Sequence, residues 1–348
     1  MNTYTFSDVL IEPKYSNIES RSNVDISVEI DQNTLLKLPI ISANMKTITG
    51  PKMANTMSHY GGLGLLHRFN SIENAANDYY DAINSKDNHF EKNIGVSIGV
   101  QEEDKKRFDE LYKTGARIFC IDVAHGHHIL VKNMLQWIKS NNFTNNDNPT
   151  LIAGNIATGD AAYDLIEWGA DIIKCGIGGG SCCQTRQRTG VGVPQLYALE
   201  QCKKIVNQKN ILYQYNKSGN RPIKMIADGG ITSVGDISKA LKYADFVMLG
   251  GFISGTSETP GNVYKDPNGQ FYKVYTGSAS GENKGNNTFV EGMMKTVPFR
   301  GKIKYILREI EDGLRSALSY VGANNLDEFK QKCEFIPITN GGAKESKI

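Results

Sequence analysis

The chain has 348 residues with 39 Lys+Arg against 37 Asp+Glu, a net charge of +2, too weak a field at this length to draw it to nucleic acid or an anionic membrane surface. No apolar run approaches the ~20 residues of a membrane helix, and Met1-Asn-Thr-Tyr-Thr-Phe6 lacks the basic and apolar regions of a signal peptide. The six cysteines (120, 175, 182, 183, 202 and 333) have no zinc spacing and are read as free thiols of a reducing, cytoplasmic compartment. Ser346-Lys-Ile348 approximates a peroxisomal address, against the plainer reading of a charged, frayed tail.

In chain order, residues 6–13 and 24–30 precede a repeating pattern. Apolar runs at 38–43, 62–66, 94–100, 118–123, 150–154, 171–175, 224–227 and 246–249 read as buried strands. Segments with helical spacing lie between most of them, at 51–59, 73–83, 102–112, 129–138, 160–168, 194–206 and 233–243. Hydroxyls in Thr158-Gly-Asp-Ala161 and Thr232-Ser-Val-Gly-Asp236 suit helix starts. Eight continuous apolar strands alternating with helices predict a single (β/α)8 barrel over residues 1–348, with an open parallel sheet as the alternative. Past the eighth run, residues 262–275 read as a β-hairpin turning on Asp266-Pro-Asn-Gly269. The glycine-, serine- and asparagine-rich stretch that follows predicts a mobile flap, within about 276–298. Residues 302–320 then return to helical spacing, with Ile303, Ile306, Leu307, Ile310, Leu314 and Leu318 on one side, and no regulatory domain interrupts the series.

A barrel gathers its site at the carboxyl ends of its strands. The residues there are Asn44-Met45, His67-Arg68, Asp122-Val-Ala-His-Gly-His-His128, Gly154-Asn155, the loop after Cys175, Asp228-Gly-Gly230 and Gly250-Gly251. The loop reads Gly176-Ile-Gly-Gly-Gly-Ser-Cys-Cys-Gln-Thr-Arg-Gln-Arg-Thr-Gly190. Its glycines let backbone N–H groups approach an anion. Ser181 adds a hydroxyl, and Cys183 is a candidate nucleophile. The competing reading is a glycine-rich turn with two buried cysteines. Cys182 reads as a packed small hydrophobe, and the His125, His127, His128 group as lining of the pocket rather than a zinc site.

Gly-Ile-Gly-x-Gly-Ser-x-Cys-x-Thr-Arg186, Thr189-Gly-Val-Gly-Val-Pro-Gln195, Ala227-Asp-Gly-Gly-Ile231, Val247-Met-Leu-Gly-Gly251 and Gly255-Thr-Ser-Glu-Thr-Pro-Gly261 together resemble the IMP dehydrogenase and GMP reductase family. The likeness runs from Phe6 to Gly301 and thinly beyond. It implies a barrel enzyme acting on a purine monophosphate (GMP or IMP), with Cys183 adding to carbon 2. From Thr276 to Phe299 there is no arginine and no tyrosine, where the dehydrogenases carry an Arg-Tyr pair that activates water. The likeness therefore leans to NADPH-dependent reductive deamination of GMP to IMP and ammonia. Gly126-His127 and the segment 255–261 lean instead to NAD-dependent oxidation of IMP, and a catalytically impaired nucleotide-binding homologue is a further alternative.

The resemblance implies roles residue by residue. Cys183, Thr185 and Glu291 would be catalytic. Ser181, Asp228, Gly229, Gly230, Gly250, Gly251, Gly277, Ala279, Thr288 and Gly292 would hold the nucleotide. Arg68, Asp122, Val123 and Ala124 would meet the nicotinamide cofactor, NADPH. Gly178, Gly180, Cys183 and Arg186 would surround a monovalent cation, potassium. A homotetramer is implied as well. Gly179 for proline, Cys182, Gln184, and Lys46 for aspartate depart from the family pattern, and Gly179 is expected to loosen the catalytic loop.

Overall fold

The computed structural model describes residues 3–84, 93–141, 143, 147–215, 221–277 and 292–346. Outside the barrel, β1 (Val9–Ile11) lies at the N-terminus, and β2 (Val28–Asp31) pairs with β3 (Thr34–Leu36) as a hairpin. Eight parallel strands then close on themselves in sequence order. They are β4 (Ile40–Ser42), β5 (Leu63–Leu66), β6 (Ile94–Ile98), β7 (Ile118–Asp122), β8 (Thr150–Ile156), β9 (Ile172–Cys175), β10 (Lys224–Asp228) and β11 (Phe246–Leu249). Closure runs through Val247 of β11 opposite Ile40 of β4. All eight expected strands are present, so the barrel stands and the open sheet does not. Their residues are buried on both faces, which is why they read as unbroken apolar runs instead of alternating ones.

The helices are α1 (Pro51–His59), α2 (Ile72–Ile83), α3 (Glu102–Lys113), α4 (Ile129–Lys139), α5 (Gly159–Glu167), the short α6 (Thr185–Thr189), α7 (Gln195–Tyr215) and α8 (Val234–Leu241). Thr158 caps α5 by accepting from Ala161 N at 3.3 Å. At α8 the cap is Ser233, bonded reciprocally with Asp236, while Thr232 donates to the Asp236 carboxylate.

After the barrel, β12 (Tyr264–Lys265), β13 (Phe271–Thr276) and β14 (Met294–Pro298) form an antiparallel sheet. The expected hairpin is its first two strands, closed by Gly269 N on Asp266 O at 3.0 Å. Its partner β14 was not foreseen. The expected flap falls mainly on 278–291, outside the described residues, and so do Ala279, Thr288, Glu291 and the last two residues of the Ser346-Lys-Ile segment. Helix α9 (Ile303–Val321) buries the apolar stripe read from sequence and packs on α8. Then α10 (Leu326–Lys332) leads to β15 (Phe335–Pro337), which pairs with β1, and to α11 (Asn340–Glu345). Among the described residues no helix is long and apolar enough to cross a membrane.

Candidate active site

Strand β9 ends at Cys175 and hands the chain to the glycine loop. Only glycine fits at 176: its φ is +147°, and a Cβ there would lie 1.9 Å from Asp228 O. Two glycine turns interlock at this point, with Gly230 N donating to Gly179 O at 3.0 Å. The bond uses the carbonyl of residue 179, which a proline there would also offer. A Cβ on Gly179 would make only ordinary contacts, the nearest at 3.4 Å. The loop ends in Cys183, whose Sγ is exposed and 3.1 Å from Thr185 Oγ1. Cys182 beside it is buried, which pushes its thiol pKa up; it is the packed hydrophobe the sequence suggested.

The ends of the flap hold this loop. Cys183 forms an antiparallel bridge with Gly292, Met293 N donates to Cys182 O at 3.1 Å, and Gly277 N donates to Met293 O at 3.0 Å. Gly277 and Gly292, expected from sequence to hold the nucleotide, thus lie beside the cysteine loop. Ser181 meets Gly251 closely enough that a Cβ on Gly251 would lie 2.6 Å from Ser181 Oγ. Tyr275 is buried with its hydroxyl 3.7 Å from Met45 Sδ, and burial raises its pKa.

A cavity of about 290 Å³ opens over this arrangement, at the lower end of the ~300–1,000 Å³ of small-molecule sites. Cys183, Thr185, Asp228, Gly229, Gly277 and Gly292 line it together with Arg68, Asp122, Val123 and Ala124. Gly178 and Gly180 of the loop line it too, whereas Ser181, Gly230, Gly250, Gly251 and Arg186 do not. The His125-Gly-His127-His128 segment is not on its wall either. His127 Nε2 sits 2.7 Å from Asp164 Oδ2, and His128 caps α4 by accepting from Leu130 N. Packing and capping, not pocket lining, account for those two histidines.

Sequence reasoning passed over Lys174 and gave Asn155 and Gln195 no role. Lys174 is almost wholly buried; its Nζ donates to Asp122 Oδ1 and Asp228 Oδ2, both at 3.0 Å, and to Asn155 Oδ1. Burial opposes its charge, but Asp228 and Asp122 outweigh burial and hold its pKa up. Burial likewise opposes ionisation of Asp122, and Lys174 and Arg68 overcome it to hold the carboxyl below its usual range. Asn155 Nδ2 donates to Asp228 Oδ2 and to Gly176 O, each at 2.8 Å. The available signal was a lysine inside an otherwise apolar run, which a buried strand tolerates only when it is paired. Gln195 Nε2 donates to Cys175 O at 2.9 Å, while its buried Oε1 has no partner among the described residues and faces Gly176 and Gly179.

Arg68 Nε donates to Asp122 O at 3.1 Å, so one cavity wall offers a guanidinium and a carboxylate for a polar cofactor. For a cation, the loop offers backbone carbonyls, a donor type suited to hard monovalent ions. No group of three or more His, Cys, Asp or Glu suited to a metal occurs among the described residues. The Arg186 side chain has no lone pair to give. Its Nη2 donates to Val193 O at 2.5 Å and Ile177 O at 3.4 Å, which braces the loop.

Residues 3–348 match the family model for the IMP dehydrogenase / GMP reductase domain. The chain belongs to this family. A GMP reductase of Acidovorax sp. (strain JS42) is 35% identical over 337 residues, covering 95% of each chain. An inosine-5'-monophosphate dehydrogenase of Cryptosporidium parvum is 33% identical over 398 residues, 99% of this chain and 94% of that one. The crystal structure of a GMP reductase variant from Trypanosoma brucei in complex with guanosine 5'-monophosphate superposes with a TM-score of 0.87 at 26% identity, over 100% of this chain and 98% of that one. The closed barrel agrees with that superposition, and the chain is an oxidoreductase of purine metabolism by family. The segment 255–261, dehydrogenase-like in sequence, serves packing: Glu258 Oε2 accepts from Ile303 N at 2.9 Å, and Thr256 O accepts from Lys273 Nζ at 3.2 Å.

Proposed function

We propose that the protein is a GMP reductase, converting GMP to IMP and ammonia with NADPH as reductant. The observation that carries this reading is the exposed Cys183 Sγ, 3.1 Å from Thr185 Oγ1, on the wall of a cavity shared with Asp228 and with Arg68 and Asp122. The stretch 276–299, free of arginine and tyrosine, favours reduction over a hydrolytic step, since no strong base for water is supplied there. The 255–261 segment does not argue for the dehydrogenase once its contacts are seen to be structural.

In this reading Cys183 Sγ adds to carbon 2 of the guanine, and the C–N bond to the amino group breaks. Thr185, oriented by the Glu291 carboxylate of the flap, passes the proton that leaves with ammonia. The cofactor, when bound, supplies the hydride that replaces the amino group at carbon 2. The C–S bond then breaks, the thiolate departs and IMP is released. Asp228 accepts from the ribose hydroxyls with Oδ1, because Oδ2 is already committed to Lys174 and Asn155. Ser181, Gly229, Gly230, Gly250 and Gly251 take the 5′-phosphate, with Gly277, Ala279, Thr288 and Gly292 closing over it. Arg68, Asp122, Val123 and Ala124 hold the nicotinamide end. The carbonyls of Gly178, Gly180 and Cys183, with Arg186 as brace, would seat potassium. We further infer a single catalytic domain, a homotetramer and a cytoplasmic setting.

Incubation with GMP and NADPH, followed by loss of nicotinamide absorbance and by release of ammonia, tests the reading. Turnover of that pair is expected. Turnover of IMP with NAD instead would assign the dehydrogenase reaction, and turnover of neither pair would point to an impaired homologue.

A further inference from the structure

Lys174 has no part in the steps above, yet it occupies the centre of the site. In that reading the two carboxylates it joins serve different ligands, one the nucleotide and the other the cofactor. Asp228 stands in the Asp-Gly-Gly turn beside the cysteine loop, and Asp122 stands with Arg68, Val123 and Ala124. All three Nζ donors of Lys174 are used, on Asp122, Asp228 and Asn155. Asn155 closes the ring by donating to the same Asp228 Oδ2 that Lys174 holds. The backbone is shaped for this arrangement: a Cβ on Gly154 would lie 2.5 Å from Lys174 O and 2.7 Å from Lys174 Cβ. Neighbouring strands β8 and β9 can approach here only because residue 154 has no side chain.

We propose that Lys174 is a positioning residue that links the ribose-facing carboxylate of Asp228 to the cofactor-facing carboxylate of Asp122, so that a change at one alters ligand binding at the other. This rests on the reading of the cavity as a purine-nucleotide and nicotinamide site. The physical basis is a shared, almost wholly buried ammonium with a fixed number of donors. Weakening its hold on Asp122 lets it close on Asp228 Oδ2, which draws carboxylate charge onto that oxygen and leaves Oδ1 a poorer acceptor for a ribose hydroxyl.

A binding cycle decides the matter. GMP affinity is measured by calorimetry without cofactor, in wild type, Asp122→Asn, Lys174→Gln and the double variant. Asp122→Asn touches only the cofactor half, yet it is expected to weaken GMP binding by roughly five- to tenfold, in the range of couplings between sites. In the Lys174→Gln background the same change is expected to have no effect. An unchanged GMP affinity in Asp122→Asn overturns the linkage, and so does an equal loss in both backgrounds. Thermal melts of the ligand-free protein give a second measure should Lys174→Gln fail to fold. Asp122→Asn and Asp228→Asn each leave the ammonium one carboxylate, whereas the pair leaves it none. The double variant should therefore lose more in Tm than the sum of the singles; additive shifts refute the link. If wild type binds neither GMP nor IMP, the functional reading falls, and the melts alone still decide the role of Lys174.

Discussion

Cys182 and Cys183 are adjacent in sequence but differ in surroundings, and the surroundings set their chemistry. The Cys182 side chain turns into the core, where burial disfavours the thiolate. Cys183 faces the cavity, beside a hydroxyl. Iodoacetamide on the folded protein, mapped by peptide mass spectrometry, should modify Cys183 and spare Cys182, Cys120 and Cys175, all of them buried. Prior incubation with GMP should slow that labelling. Cys183→Ala should lower turnover by about 10⁴-fold or more, as loss of a covalent nucleophile does. Cys182→Ala should retain turnover within a few-fold and cost about 1 kcal/mol of stability, the scale of a small buried group removed. Turnover surviving in Cys183→Ala would remove the sulfur from the mechanism.

At the scale of the elements, the turns that follow β9 and β11 leave little room for a side chain, but not equally. A Cβ on Gly176 meets backbone, the Asp228 carbonyl, and neither partner can yield. A Cβ on Gly251 meets the end of the Ser181 side chain, which can rotate away at little cost. Gly251→Ala is thus expected to fold with an unchanged Tm and to displace one hydroxyl from the phosphate end. KM for GMP should rise roughly tenfold, the effect of one hydrogen bond to a charged group, with kcat nearly unchanged. A fall in kcat with KM constant would detach Ser181 and Gly251 from substrate binding. The turns themselves were legible because glycine pairs after apolar runs are local patterns, and so were the eight strands. What joins the turns was not. Lys174 meets Asp122 and Asp228 at separations of 52 and 54 residues, and Gln195 reaches back 20 residues to Cys175. A spacing rule reads one element at a time, whereas these contacts exist only after the barrel has closed. The histidines near 127 erred the other way: a local cluster suggested a shared role, and the fold separated them between Asp164 and the start of α4.

Among the described residues several buried carboxylates are paired with lysines, and this sets how stability responds to acid. Asp245 is held below its usual range because Lys330, at 2.5 Å, and Lys203 outweigh the burial that opposes its ionisation. Asp122 behaves alike through Lys174 and Arg68. A carboxyl with a depressed pKa contributes stability that is present above its unfolded value near 4 and lost below it. Neither group therefore changes between pH 7 and pH 5. His67 does. Burial, aided by the charges of Lys46 and Arg107, pushes its pKa down to about 4 from 6.5, and its Nδ1 accepts from Phe69 N at 3.1 Å. The unfolded chain takes up this proton near pH 6.5 and the folded chain resists it, so stability falls as pH drops through that interval. Between pH 7 and pH 5 the loss amounts to about 2 kcal/mol. Asp78, whose pKa burial raises, acts in the opposite sense but is common to any pair of variants. His67→Asn keeps an acceptor for Phe69 N and cannot titrate. Urea unfolding of wild type and His67→Asn at pH 7 and pH 5 should show the wild type losing about 2 kcal/mol more than the variant over that interval. Parallel losses in the two proteins would mean that the imidazole before Arg68 takes its proton without opposing the fold.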